Sequence, residues 1–332
     1  MSDFGTTRPA ERPAEAKGIF GGIVVSNEAI CREHYRLVIR LAQFPPSVPG
    51  QFVQIGCSDI EVEPPPEREV EWDEDRSLPA LRAPELAAPA ALLRRPFSLG
   101  GRRDTHAGVE LDIIYRVTGT GTAWLSQARS GKRVSLIGPL GRGFTLPDEE
   151  QTAVLAGGGA GIPPMLYLGA VLAGRRVVAF CGATSRDLLP VTFQSAGEEG
   201  CDPTRPAMTV AEFARHGIPA VVSTNDGSAG FRGMITEALE RYLERTAGAD
   251  IVLYACGPEA MLRRVAELAS ARGVECQVSV ERAMACGMGT CQSCCIRVRK
   301  ADARQPPMAG SPWAWRLACT DGPVFRAADL LW

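Results

Sequence analysis

The chain has 332 residues, 45% of them hydrophobic, with 36 Lys and Arg against 38 Asp and Glu for a formal net charge of −2. That length supports two or three domains with cores of their own, and the near balance of charge supplies no global positive field to gather nucleic acid or an anionic membrane surface. The chain opens with no basic start and apolar run, and no stretch approaches the roughly 18 uninterrupted apolar residues of a membrane span, so a cytoplasmic protein with no nucleic-acid or membrane partner is expected.

Residues 1–17 are polar and rich in Ala, Glu, Arg and Pro, too poor in large apolar groups to pack, and read as a disordered leader. From Ile19 to Ile55 short β-rich runs (IFGGIVVSNEAI, HYRLVIRLA, QFVQIGC) are separated by Pro and Gly, as antiparallel strands with turns are. Residues 58–92 carry a Pro triplet and an acidic run, the composition of a surface insertion. Strand signals resume at RRPFSLGG, VELDIIYRVTG and KRVSLIGPLGRGF, with a helical spacing in TAWLSQA after the second. An antiparallel β-barrel domain over residues 18–148 follows from this pattern.

Beyond it the pattern becomes strand, glycine turn, helix, which predicts a parallel α/β nucleotide-binding domain over residues 149–273. Residues 274–332 form a third region dense in Cys, Gly and Trp. The class is therefore α+β and multidomain.

Eleven cysteines is an odd number, and five lie between Cys286 and Cys319, which suits ligands in a reducing compartment better than a disulfide framework. Cys286, Cys291, Cys294 and Cys319 give C-x4-C-x2-C…C, the plant-type spacing for a [2Fe-2S] cluster. Gly287 and Gly289 remove side chains that would keep the backbone from the sulfurs. A structural zinc site usually shows two paired knuckles, and this segment has a single CxxC pair. Cys295 is an alternative ligand beside Cys294, and the x2 spacing favours Cys294. Cys31, Cys57, Cys181, Cys201 and Cys276 read as core or surface thiols.

Arg95, Pro96, Phe97 and Ser98 head a strand with a cation able to clamp a pyrophosphate and a hydroxyl able to reach the polar edge of a flavin ring. Ile114, Tyr115 and Arg116 follow, and then Gly119 to Thr122 open a helix whose exposed amides suit phosphate. An ordinary strand and an N-capped helix explain either piece alone. In the second domain Gly157, Gly159 and Gly161 follow a buried strand and precede a helix that starts with two prolines, without forming GxGxxG. Cys256 and Gly257 again end a strand at the carboxyl edge of the sheet, where ligands sit. Arg186 would favour a ribose 2′-phosphate and Asp187 would oppose it, so NAD and NADP both stay open.

RRPFSL, IYRVTGTGT, IGPLGRGF, AGGGAGIPP, STNDGSAGFRG, YACGPEAML, ERAMACGMGTCQSC and LACTDGPVF together resemble the electron-transfer subunits of type B dihydroorotate dehydrogenase, within the ferredoxin-NADP reductase superfamily. The resemblance covers residues 18–332 apart from 58–92. It implies an antiparallel β-barrel FAD domain, a parallel α/β nucleotide-binding domain and a C-terminal [2Fe-2S] region. Arg95, Pro96, Phe97, Ser98, Ile114, Tyr115, Arg116, Gly121 and Thr122 would then contact FAD, and the four cysteines would hold the cluster.

It further implies a hetero-oligomer with an FMN-containing catalytic subunit that oxidises dihydroorotate, electrons passing to NAD+ with no side chain as general base. Phe97 stands where an aliphatic residue is commoner, and the interval from Cys294 to Cys319 is long for the family. Other assemblies with the same motif are a sulfide dehydrogenase and an NADH-dependent ferredoxin:NADP oxidoreductase. A redox sensor without turnover and the reductase of an oxygenase are further readings.

Overall fold

The structure, a computed structural model, describes residues 17–58, 93–194, 202–299 and 312–332. The leader and the insertion, apart from residues 17 and 58, lie outside the described residues, as do Cys201 and residues 300–311 of the segment between Cys294 and Cys319.

The first sheet is antiparallel, built from β1 (Gly18–Cys31), β2 (His34–Leu41), β3 (Phe52–Ile55), β4 (Arg95–Ser98), β5 (Gly101–Thr105), β6 (Gly108–Arg116) and β7 (Arg133–Leu140) in the order β4-β3-β7-β1-β2-β6-β5. The long β1 serves two neighbours. Its first residues pair with β7 and its later ones with β2, and register shifts at Val24/Ser26 and Ala29/Cys31 bend it between them. The expected barrel is a half-barrel with β4 and β5 as its edges. RRPFSLGG, read as one strand, breaks after Ser98, and the chain crosses to the opposite edge as β5. Helix α1 (Thr120–Ser126) starts within the expected Gly119–Thr122 opening, with Gly119 as its N-cap.

The second sheet has the order β11-β10-β9-β8-β12-β13-β16, from β8 (Thr152–Gly158), β9 (Val177–Ala183), β10 (Ala220–Thr224), β11 (Phe231–Arg232), β12 (Ile251–Cys256), β13 (Glu275–Ser279) and β16 (Val324–Arg326). All its pairings are parallel except β13 with β16. Every residue of β12 is buried, as a strand covered by helices on both faces should be.

Helix α2 (Ile162–Val171) is buried on all sides from Ile162 to Gly169, because it packs between this sheet and the half-barrel; Tyr167 donates its hydroxyl to the Ser47 carbonyl at 2.8 Å. After the short α3 (Ala211–Ala214), α4 (Ile235–Arg245) and α5 (Glu259–Arg272) are amphipathic in the usual way, α4 burying Ile235, Ala238, Leu239, Tyr242 and Leu243 at helical spacing. Gly273, at φ +65°, ends α5 in the left-handed conformation.

The third region is less separate than its composition implied. Strand β13 begins two residues inside the expected boundary at 273/274 yet belongs to the parallel sheet, and β16 returns from the C-terminal end to cover its edge. Between them, β14 (Cys295–Val298) and β15 (Ala314–Leu317) form a two-stranded hairpin. The motif after β15 packs on the half-barrel: Arg142 donates its backbone N–H to the Gly322 carbonyl at 2.5 Å, and a β-carbon on Gly141 would lie 2.5 Å from Pro323.

Candidate functional site

A cleft of about 1110 Å³ opens between the half-barrel and the parallel sheet. From the half-barrel Arg95, Pro96, Phe97 and Ser98 line it, joined by Ile114, Tyr115, Arg116 and Thr122. Gly121 is buried within α1, behind that wall. Phe97 also reaches the half-barrel core, its ring edge-on to Tyr115 at 5.7 Å. The cations are free enough to meet a ligand: Arg95 donates to the Leu93 carbonyl at an exposed site, and Arg116 pairs with exposed Glu33 at 2.8 Å. The Thr122 hydroxyl is occupied locally, accepting the N–H groups of Thr118 and Gly119 at 2.9 and 3.1 Å.

From the parallel sheet come Gly158, Gly159, Cys256 and Ser279, all at carboxyl ends of strands or just beyond. The glycine run divides its labour. Gly159, at φ +52° with open space beside it, faces the cleft. Gly157 and Gly161 stand behind it as packing glycines: a β-carbon at Gly157 would lie 2.7 Å from the Ile162 Cα, and one at Gly161 would collide with the Cys256 carbonyl oxygen. Gly257, at φ +154°, turns the chain from β12 toward α5. Asp187 is committed to Arg32 of the half-barrel at 3.1 Å, which ties the two domains beside the cleft.

Two cleft residues carried no signal in the sequence. His34 is 1% exposed; its Nδ1 donates to the Arg32 carbonyl at 2.8 Å, Nε2 has no partner among the described residues, and burial holds its pKa below the usual imidazole value. Glu281 is open to the cleft, whose crowded walls raise its carboxyl above the ordinary range. Its charge also acts on a residue the sequence did single out: burial first, and Glu281 second, push the Cys256 thiol up to about 12, so it stands in the cleft as a neutral group.

Residues 279–284 continue along the cleft wall, and the chain then turns into the cysteine loop at Cys286. Gly287 and Gly289, at φ +73° and +94°, give that loop its shape. They aim the N–H groups of Met288 and Cys291 at the Cys286 sulfur, each at 3.4 Å. Cys291 is exposed, and hydrogen bonds, chiefly from the Ser293 hydroxyl, lower its thiol to about 6. Cys294 and Cys319 are 2% and 1% exposed, their side chains within hydrogen-bond reach of each other. Burial, then Cys294, raises the Cys319 thiol to about 12. A tight turn fixes the pair: Ala318 N–H donates to the Cys294 carbonyl at 3.0 Å, and Asp321 accepts the Leu317 N–H at 2.9 Å. Cys295 is exposed on β14.

Among the described residues no three His, Cys, Asp or Glu side chains converge as one metal ion would need. Four thiols shared between two irons need no such convergence, and the donor set with its inward amides fits an iron-sulfur cluster. The described cysteines outside the loop fit the thiol reading: Cys57, Cys181 and Cys276 are buried and Cys31 is partly buried.

The half-barrel, the parallel sheet and the cleft between them make up a fold of the ferredoxin-reductase type, with a cysteine-rich region at its C-terminal end. Solved structures agree on the fold. A chain of an NADH-dependent reduced ferredoxin-NADP oxidoreductase superposes with a TM-score of 0.63 at 24% identity, over 94% of this chain and 90% of that one. An Amycolatopsis cytochrome P450 reductase gives 0.54 at 22%, over 80% and 70%.

Residues 281–331 match the iron-sulfur cluster binding domain of dihydroorotate dehydrogenase B. The dihydroorotate dehydrogenase B (NAD(+)) electron transfer subunit of Geobacillus thermodenitrificans is 34% identical over 315 residues, 93% of this chain and 96% of its own length. That of Caldanaerobacter subterraneus subsp. tengcongensis is 29% identical over 308 residues, with the same coverages. The chain belongs to this family, the electron transfer subunits of dihydroorotate dehydrogenase B, an NAD-linked oxidoreductase.

Proposed function

We propose that this chain relays electrons from a dihydroorotate-oxidising, FMN-containing catalytic subunit through a [2Fe-2S] cluster and FAD to NAD+, in pyrimidine biosynthesis. The observation that carries the reading is the continuity of the two sites, since residues 279–284 line the cleft and run directly into Cys286. A bound flavin supplies the exchange between a one-electron carrier and a hydride carrier.

The residues divide the work. Cys286, Cys291, Cys294 and Cys319 hold the cluster, and the amides of Met288 and Cys291 offset its negative charge. Arg95 and Arg116 bind the FAD phosphates, the Ser98 hydroxyl meets the polar edge of the ring, and Pro96, Phe97, Ile114 and Tyr115 form its walls. Gly159 lets the NAD pyrophosphate approach the backbone, while Gly157, Gly161 and Gly257 shape the turns behind it. Cys256 closes the nucleotide side with a neutral thiol, so no side chain is assigned an acid or base step. NAD rather than NADP is supported by the names the relatives carry.

The described cysteines are all free, which supports a reducing, cytoplasmic setting. Among the described residues no helix is long and apolar enough to cross a membrane.

The complex purified from its source cells should reduce NAD+ when given dihydroorotate. A complex whose flavin is bleached by NADH but never by dihydroorotate would move the chain to another assembly.

A further inference from the structure

Gln54 is 0% exposed, and neither its side-chain nitrogen nor its oxygen has a hydrogen-bond partner among the described residues. A buried amide left so has surrendered its water without replacement, and folds keep such a group where something outside the polypeptide satisfies it.

Its surroundings identify the missing partner. Gln54 lies on β3 directly opposite Pro96 of β4, so the two side chains rise from one face of the sheet. Val53 and Ile55 point the other way, into the half-barrel core. Pro96 lines the flavin cleft but Gln54 does not; it lies under the cysteine loop instead. A β-carbon built on Gly287 would come within 2.5 Å of Gln54 Nε2. Gly287 follows Cys286, whose sulfur already accepts two backbone N–H groups.

We propose that Gln54 donates a side-chain N–H hydrogen bond to the sulfur shell of the cluster at Cys286, and so holds the cluster's reduction potential above the value the loop alone would give. The inference rests on the reading that these cysteines carry an iron-sulfur cluster. Charge selects the end of the amide: an anionic cluster repels the carbonyl oxygen and attracts the N–H. A reduced cluster carries one more negative charge than an oxidised one, so each donor aimed at its sulfurs favours the reduced form and raises the potential. Gln54 is thus a tuning residue from the half-barrel, placed between the flavin-lining strand and the cluster loop.

The test compares wild type with Gln54→Met, of similar length but without the dipole, in the full chain loaded with FAD and cluster. Cluster reduction is followed by paramagnetic resonance and flavin reduction by visible absorbance, both against ambient potential. At the wild-type midpoint the variant's cluster should show at least a threefold lower ratio of reduced to oxidised form. That corresponds to a fall of about 28 mV at 59 mV per tenfold change for one electron. The flavin should move less.

A cluster that titrates as in wild type, or a flavin that shifts alone, overturns the proposal. If Gln54→Met takes up no cofactors, Gln54→Asn, which withdraws the N–H by one methylene, must shift the cluster in the same direction, and a wild-type potential there overturns it equally. A wild-type protein with no iron-sulfur signal after reduction would instead overturn the cluster reading beneath it.

Discussion

Cys294 and Cys295 are covalent neighbours with opposite surroundings: Cys294 is buried against Cys319, whereas Cys295 is exposed on β14 across from Leu317. Strand alternation makes this so, because a side chain and its neighbour leave the backbone on opposite faces. Cys294→Ser should lower iron retention by roughly tenfold or more, since even partners outside the ligand set cost that much. Cys295→Ser should keep its iron and its colour. Iron per chain and the visible spectrum of the two variants decide between the cysteines.

Two glycines of one turn should respond differently to alanine. Gly161→Ala drives a methyl group against the Cys256 backbone carbonyl, which no side-chain rotation relieves. A loss of about 3 kcal/mol or more and weakened NADH binding are expected. Gly159→Ala meets no atom of the described residues within 4 Å and bears only its φ of +52°, so about 1–2 kcal/mol is expected. Denaturant unfolding and nucleotide titration measure both.

Asn27 braces α1 onto the half-barrel. Its Nδ2 donates to the carbonyls of Leu125 at 2.7 Å and Ala128 at 3.1 Å, and its Oδ1 accepts the Tyr115 hydroxyl at 3.1 Å. Asn27→Ala should cost roughly 2–3 kcal/mol and Tyr115→Phe about 1 kcal/mol. The double variant should cost less than their sum, because one hydrogen bond is counted in both. Urea unfolding of the three proteins supplies the cycle.

Burial keeps the His34 pKa in the folded chain below its unfolded value near 6.5, the Arg116 charge adding to the effect. Above 6.5 both states hold His34 neutral and its contribution is constant. As pH falls below 6.5 the unfolded chain takes up a proton that the folded chain resists, so stability drops until the folded pKa is passed. Thermal unfolding at pH 7.5 and 5.5 should show a decline in wild type that is smaller in His34→Gln. An equal decline in both would assign it to other groups.

Local pattern alone exposes much of this molecule. Alternation marks β2, helical spacing marks α4, and the run of apolar residues marks β12, because each of those signals is the burial of one element's own face. Segment junctions are less legible. The break after Ser98 falls at Leu99, a buried apolar residue that continues the strand-like run, so nothing in RRPFSLGG announces that the chain leaves one edge of the sheet for the other. Strand β13 likewise reads as the start of the cysteine region until its pairing with β12 puts it in the parallel sheet.

By itself the sequence determined the cysteine spacing, the glycine turns and the order of strands and helices, since these are properties of residues close along the chain. Only the tertiary structure decided which of two adjacent cysteines turns inward, which glycines face the cleft, and that Gln54 lies beneath Gly287. Those outcomes depend on surfaces brought together from segments far apart along the chain, where packing and the loss of water, not local periodicity, choose the neighbour.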